Sequence, residues 1–333
     1  MIVKNLSANK FVQHGDLGQR LKLQVFNELE TAAGFMHFTA GWLHLPTCFP
    51  ITGDGITCKK LFSNYQNVKK LEGVYVPVER LRYGTYSSEL EGVCAIGGDN
   101  NYWHFMTERV PQLFFLKDPE LANRQIAHAY IKTNLEFCRY ILERLGIQNR
   151  AFVEIPMNKP YGGWCDGPQF LPIKDVVIPS IIHRHFAPFL WDTYLWPQAE
   201  RPSPKGRRLF VGREAGTRRQ LLNQDEVVKQ LEAEGFESVN PGAMSIQEQM
   251  QLFAESEFVI GVHGAALTNI LFVPTDCRVV ELTNGIKYFN FALISKVRDL
   301  DYSLVMGAPD GVEGRHTDFT VELDEIRQLV IDK

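Results

Sequence analysis

Between Arg207 and Tyr302 short apolar runs alternate with segments of helical periodicity, and this alternation constrains the fold more than any other feature of the chain. Arg207-Arg-Leu-Phe-Val211 reads as a short buried strand, Asn223 to Glu234 as a helix with Asn223 at its N-cap, and Phe236 to Val239 as a second strand. Ser245-Ile-Gln-Glu248 has capping-box spacing and opens a helix to about Ala254. Phe258 to Val262 is a strand, Ala265 to Phe272 a short helix, Arg278 to Leu282 a strand and Phe289 to Val297 a helix, with a strand-like run after it. Such a βαβαβαβ series predicts a parallel sheet with right-handed crossovers.

A similar, less regular alternation precedes it. Gly73 to Val78 and Gly92 to Ile96 are strand-like, Tyr102 to Leu116 has helical spacing, and strand, helix and strand follow at Ala127–Ile131, Asn134–Leu145 and Arg150–Ile155. Between about Phe186 and Lys205 the tryptophans and prolines show neither period, which reads as an interdomain connection. A chain of 333 residues exceeds the size at which one core stops growing, so the expected fold class is α/β with two Rossmann-like domains.

Charge narrows the partners. With 35 basic and 39 acidic residues the net charge is -4, which gives no field to draw a polyanion, so nucleic acid is not expected. No apolar run reaches the ~20 residues of a membrane span, and Met1 to Lys10 lacks a signal-peptide core, so a cytoplasmic location is expected. Six scattered cysteines without a C-x-x-C pair indicate neither a zinc site nor a disulfide framework. The absence of G-x-S-x-G and G-x-G-x-x-G argues against an α/β hydrolase and a dinucleotide oxidoreductase.

In open α/β sheets ligands bind beyond the carboxyl ends of the strands, which here directs attention to Gly261-Val-His-Gly-Ala-Ala-Leu-Thr-Asn269. Gly264, Ala265 and Ala266 would let a ligand approach the backbone, where the N–H groups of the following helix favour a diphosphate. His263 and Thr268 offer side-chain donors, although His263 also fits a satisfied core histidine. Arg213, Arg218 and Arg219 follow the first strand at what should be the same edge, and guanidinium forks suit phosphate oxygens without a metal. Surface pairing with Glu214, Asp225 or Glu226 is the alternative for these arginines.

In the first half His104 and Glu108 stand at i and i+4 on one helix face, either as a general-base pair or as a helix-stabilising contact. Asp299-Leu-Asp301 spells D-x-D, a metal-binding pattern in some glycosyltransferases, but it falls away from the predicted phosphate loop and no metal is expected there.

Taken together, Arg213, Arg218-Arg219, Asn223 with Glu226, His263 to Asn269 and Val279 to Leu282 resemble the donor domain of glycosyltransferase family 61 in order and spacing. Asn101-Tyr-Trp-His-Phe-Met-Thr-Glu108-Arg-Val-Pro111 is similar to the family's acceptor-side helix. In size and in lacking an anchor the chain resembles the bacterial branch, whose members are assigned to capsular or lipopolysaccharide assembly.

The resemblance implies a GT-B-like arrangement and inverting transfer from a nucleotide sugar, UDP-linked by expectation, to a glycan hydroxyl, usually without a metal. A lipid-linked acceptor, a homodimer and a peripheral position at the inner membrane are compatible with it. It implies Glu108 as the base with His104 orienting it, although some branches carry Asp there. Arg213, Arg218, Arg219, His263, Gly264, Ala265, Thr268 and Asn269 would hold the donor. The corresponding domains are 1–190 on the acceptor side, a linker at 191–206, a donor domain at 207–305 and a strand and helix at 306–333 that is free to pack back on the first domain. The competing reading is a noncatalytic nucleotide- or carbohydrate-binding protein that supports a partner transferase.

Overall fold

The computed structural model describes residues 2–5, 34–44, 49–52, 90–96, 101–114, 116, 121, 124–130, 139–147, 152–156, 170–179, 187–284, 290–311, 314 and 316–331. They divide into two compact units, Met1–Leu190 and Trp191–Lys333. Both are mixed α/β.

The first unit is built on an eight-stranded sheet. Its strands are β1 (Ile2–Asn5), β2 (Gly34–His44), β3 (Phe49–Thr52), β4 (Leu90–Glu91), β5 (Val93–Ile96), β6 (Gln125–Tyr130), β7 (Phe152–Pro156) and β8 (Phe170–Pro179). The order β1-β2-β8-β5-β6-β7 carries β3 on β2 and β4 on β8. β8, β5, β6 and β7 run parallel, whereas β2 is antiparallel to β8 over nine paired positions. The alternation seen between Gly92 and Ile155 gives the parallel part. The β2–β8 pairing was not legible, because its strands are separated by more than a hundred residues. The strand expected at Gly73 to Val78 and the start of the helix expected from Asn134 lie outside the described residues, and 139–144 is helical.

The segment α1 (Tyr102–Phe114) follows β5. It is helical throughout, with a π-helical turn at Phe105–Arg109 between α-helical ends. Asn101 caps it, its side chain accepting from the Trp103 N–H at 3.0 Å. Residues 105–113 are buried all round, as expected of a core helix rather than an amphipathic surface one.

The second unit holds a five-stranded sheet of β9 (Arg207–Val211), β10 (Phe236–Val239), β11 (Ser256–Val262), β12 (Arg278–Thr283) and β13 (Asp301–Met306). The order is β10-β9-β11-β12-β13 and every pair is parallel, as the alternation predicts. The connections carry α2 (Gln224–Ala233), α3 (Ile246–Ala254), a 3-10 helix (Ala265–Leu271) and α4 (Asn290–Arg298). Alternate strand residues Phe210, Phe258, Ile260, Val262, Val280, Leu282 and Val305 form one apolar face, covered by Val227 and Leu231 of α2. The C-terminal strand pair β14 (Ala308–Pro309) and β15 (Phe319–Thr320) and the last helix α5 (Leu323–Ile331) complete this core through Phe319, Val321, Ile326 and Val330.

Local expectations met different fates. The capping box is present in both halves, with the Ser245 N–H donating to Glu248 Oε2 at 2.7 Å and the Glu248 N–H to Ser245 Oγ at 3.3 Å. Asn223 makes no side-chain cap. Its amide donates to the Val321 carbonyl at 2.9 Å and accepts from the Val321 N–H at 3.2 Å, tying the C-terminal segment to α2. The stretch expected to be irregular is helical at Ala187–Leu190, Trp191–Leu195 and Gln198–Glu200, because Trp191 and Leu195 supply buried apolar contacts one turn apart. Cys277 is buried with a free thiol that desolvation pushes up to about 12. Among the described residues no helix is long and apolar enough to cross a membrane.

Candidate functional site

In the second unit the strand succession reverses at one place. β9 passes to β10 on one side, and the chain returns to β11 on the other, so the loops after β9 and β11 diverge at the carboxyl ends, the position where open α/β sheets bind ligands in a crevice. Those loops carry Arg213 and His263.

Arg213 bridges them. Its Nη1 donates to the His263 carbonyl at 2.9 Å and its Nε to Thr217 Oγ1 at 3.3 Å. Gln224, at the start of α2, grips the Arg213 main chain from both sides, accepting from its N–H at 2.8 Å and donating to its carbonyl at 3.2 Å. Small residues make this possible. A Cβ on Gly264 would lie 2.2 Å from Arg213 Nη1, and one on Gly212 would lie 2.8 Å from Gln224 Oε1. Burial lowers the Arg213 pKa, Asp318 opposes the shift, and the group stays cationic at neutral pH.

His263 is buried on the opposite face of the sheet from the apolar core. Its Nδ1 contacts Glu281 Oε1, and its ring meets Phe291 of α4 edge-on at 5.2 Å. Glu281, in the middle of β12, is 1% exposed, and its second oxygen accepts from the Tyr302 hydroxyl of β13 at 2.5 Å. Desolvation, then the Glu281 charge and hydrogen bond, hold the Tyr302 phenol well above its ordinary pKa. His263, Glu281 and Tyr302 thus form a chain that runs from the end of β11 across β12 to β13.

The remaining expected donor residues occupy distinct places. Arg218 is exposed, with Nη1 3.3 Å from His316 Nε2. Arg219 is half-buried and adopts φ 61°, a left-handed conformation uncommon away from glycine. The expected helix Ala265 to Phe272 is a seven-residue 3-10 helix, a single short element whose aligned dipole is smaller than that of an α-helix of ordinary length. Ala265 is half-buried at its start, and Thr268 is fully buried with no partner for its hydroxyl among the described residues. Asn269 is also fully buried, its amide donating to Gln249 of α3 and to the Ala266 carbonyl, both at 3.0 Å. In this structure Asn269 acts as a brace.

The far end of the same 3-10 helix is anchored by charges absent from the sequence expectations. Asp192 accepts from Arg201 Nη2 at 2.6 Å and from Arg298 Nε at 3.2 Å. Arg298 donates to the Ile270 carbonyl at 2.7 Å, and Arg201 to those of Phe272 and Val273 at 3.3 and 3.4 Å. Burial, with Arg298 close by, lowers the Arg201 pKa to about 10 against the pull of Asp192. Asp301 of the D-x-D opens β13 at the amino edge, opposite the crevice, and pairs with Arg278 at 3.5 Å.

In the first unit α1 sets His104 Nδ1 3.1 Å from Glu108 Oε1. The Glu108 side chain is 3% exposed and that of His104 14%, so the carboxylate sits inside and the imidazole covers it. Glu108 lies in the π-helical turn, and such turns are frequent at functional sites.

Residues 102–280, more than half of the chain, match the model of the family described as Glycosyltransferase 61. The chain belongs to this family. The matched segment runs from the first residue of α1 to the middle of β12 and so includes both the His104–Glu108 pair and the Arg213–His263 crevice. The chain is 28% identical over 177 residues to an EGF domain-specific O-linked N-acetylglucosamine transferase of Drosophila melanogaster, covering 48% of this chain and 32% of that protein. It is 36% identical over 84 residues to the beta-1,2-xylosyltransferase RCN11 of Oryza sativa subsp. japonica, covering 25% of this chain and 15% of the other. An alpha-1,3-arabinosyltransferase of the same plant is 34% identical over 86 residues, covering 25% and 15%. The chain thus spans a third or less of the length of these relatives.

Proposed function

We propose that this protein is an inverting glycosyltransferase that moves a hexosyl or pentosyl group from a nucleoside-diphosphate sugar, UDP-linked, to a glycan hydroxyl. The observation that carries the reading is the Arg213 guanidinium fastened across the β9–β11 crevice beside the buried His263, in a chain of this family. The departing diphosphate develops negative charge, and a fixed guanidinium with a histidine donor stabilises that charge without reorganising. Arg218 and Arg219 on the same loop and Ala265 at the start of the 3-10 helix extend the site, while Gly264 makes room for the Arg213 guanidinium. Thr268 and Asn269 support it from beneath.

Inversion needs a base on the acceptor side. We assign that role to Glu108, with His104 orienting its carboxylate, in a GT-B-like arrangement of the two units. The support is the buried pairing of the two side chains and their place in the matched segment. A cytoplasmic surface-polysaccharide acceptor, lipid-linked and reached at the inner membrane, is proposed on the sequence resemblance alone. The relatives' names extend the range of acceptors to EGF domains and of transferred groups to N-acetylglucosamine, xylose and arabinose.

The test is Glu108→Gln. Transfer from UDP-sugars should fall at least a hundredfold while UDP binding measured by calorimetry stays at the wild-type value. Transfer at the wild-type rate would remove Glu108 from the mechanism, and a wild-type chain that binds UDP without transferring or hydrolysing any UDP-sugar would favour a noncatalytic binding protein.

A further inference from the structure

The chain His263–Glu281–Tyr302 performs no role in the reading above beyond placing a histidine near a phosphate. Glu281 is a carboxylate in the interior of a parallel sheet, and a buried charge persists only when it is paired and hydrogen-bonded. Among the described residues its ion-pair partner is His263, and its other oxygen is covered by the Tyr302 hydroxyl. The register explains the geometry. Gly261 of β11 lies beside Glu281, and Val279 beside Tyr302, so the three side chains share one face of the sheet at successive strands. Gly261 contributes by absence, since a Cβ there would come 2.5 Å from Leu267 Cδ1 and the Leu267 side chain would have to shift.

Contact with a carboxylate requires a proton on His263 Nδ1, because a carboxylate can only accept. Any contact of the ring with a donor therefore runs through Nε2. A neutral ring so oriented presents a lone pair at Nε2, which repels phosphate oxygens, whereas a ring protonated at both nitrogens donates to them.

We propose that Glu281 and Tyr302 are positioning residues that hold His263 as an imidazolium when the nucleoside diphosphate is bound, with Nδ1–H on the buried carboxylate and Nε2–H on a phosphate oxygen. This rests on the donor-site reading given above. Among the described residues, charged groups in contact with His263 include Glu281 from β12 and, through the main-chain carbonyl, Arg213 from the loop after β9. Tyr302 of β13 acts through Glu281, Asp318 acts on Arg213, and α4 contributes the uncharged ring of Phe291.

The experiment uses UDP as the probe. Long-range proton–nitrogen NMR of the wild-type complex should show both ring nitrogens of His263 protonated, and Glu281→Gln should leave a single ring proton at the same pH. UDP affinity should fall at least tenfold in Glu281→Gln and in His263→Ala, and the double variant should bind no more weakly than His263→Ala alone. Tyr302→Phe, which keeps the carboxylate, should give a smaller loss and retains the test if Glu281→Gln does not fold. A singly protonated His263 in the wild-type complex, or a Glu281→Gln loss that persists in the His263→Ala background, would overturn the proposal. A His263→Ala chain that binds UDP as tightly as wild type would instead overturn the donor-site assignment on which it stands.

Discussion

Replacing Gly264 by alanine isolates the contribution of the Arg213 bridge. At φ -179° the residue is extended, a conformation open to any side chain, so the substitution introduces no backbone strain. Its effect is a collision. The new Cβ would lie 2.2 Å from Arg213 Nη1, whereas ordinary contact begins at 3.4 Å, so the guanidinium must retreat by roughly 1 Å. A displacement of that size breaks the 2.9 Å bond to the His263 carbonyl and disturbs the 3.3 Å contact with Thr217. A hydrogen bond made by a charged group contributes about 1.5–3 kcal/mol, and the half-buried setting of Arg213 argues for the lower end. If Arg213 receives the donor diphosphate, Gly264→Ala should weaken UDP binding by about tenfold, since each 1.4 kcal/mol is a factor of ten.

Calorimetric titration of UDP into wild type, Gly264→Ala, Arg213→Ala and the double variant distinguishes this from a general loosening of the loop. With the arginine truncated there is nothing for the new methyl to strike, so the double variant should match Arg213→Ala alone. Urea denaturation run in parallel should show a smaller loss of stability in the double variant than in Gly264→Ala. Wild-type affinity in Gly264→Ala, with Arg213→Ala weakened, would show that the bridge is not the geometry in which Arg213 meets the ligand.

Three further outcomes are expected. Asp192→Asn leaves Arg201 and the fully buried Arg298 without their shared counter-charge, which should cost about 3–5 kcal/mol of stability and lower the urea midpoint. Hydrogen bonding to Lys205, stronger than the opposing desolvation, holds the Glu255 carboxyl below its ordinary value of 4.5, and bonding to Arg207 does the same for Glu237. Their stabilisation is therefore complete above that pH and lost as pH falls through the lowered folded values, so urea midpoints should decline in acid less steeply in Glu255→Gln than in wild type. Chelation with EDTA should leave UDP affinity unchanged, because the proposed diphosphate site rests on guanidinium and imidazole groups; a marked loss would place a metal in the donor complex.

What could be read from the sequence was what is encoded locally. Ser245 and Glu248 are three residues apart and each satisfies the other's backbone, so the capping box was legible and is present. Asn223 has the same chemistry in the same kind of position, yet its partner is the main chain of Val321, 98 residues away, and no local pattern announces that. The five parallel strands of the second unit follow from alternating periodicity, whereas β2 and β8 of the first pair across more than a hundred residues, which no local pattern encodes. Glu281 falls within the strand read at Arg278 to Leu282, but its two contacts exist only through the register of β11, β12 and β13. Asp192 was unreadable as a site because both its arginines come from elsewhere in the chain, Arg201 after the next helical turns and Arg298 from the end of α4.

These long-range contacts share a consequence for how the proposed site works. The segment from His263 to Val273 is held at its start by Arg213, beneath its first residue by Glu281, in its middle by Asn269 on Gln249, and at its end by Arg201 and Arg298 on three carbonyls. Four of these five contacting side chains carry charge, all are at least partly removed from water, and each comes from a different element. A 3-10 helix of seven residues would not hold its shape alone, since its hydrogen bonds are poorer than those of an α-helix. Electrostatic stabilisation of a departing diphosphate depends on dipoles and cations that do not move as charge develops, and this bracing supplies that rigidity to a segment that intrinsically lacks it.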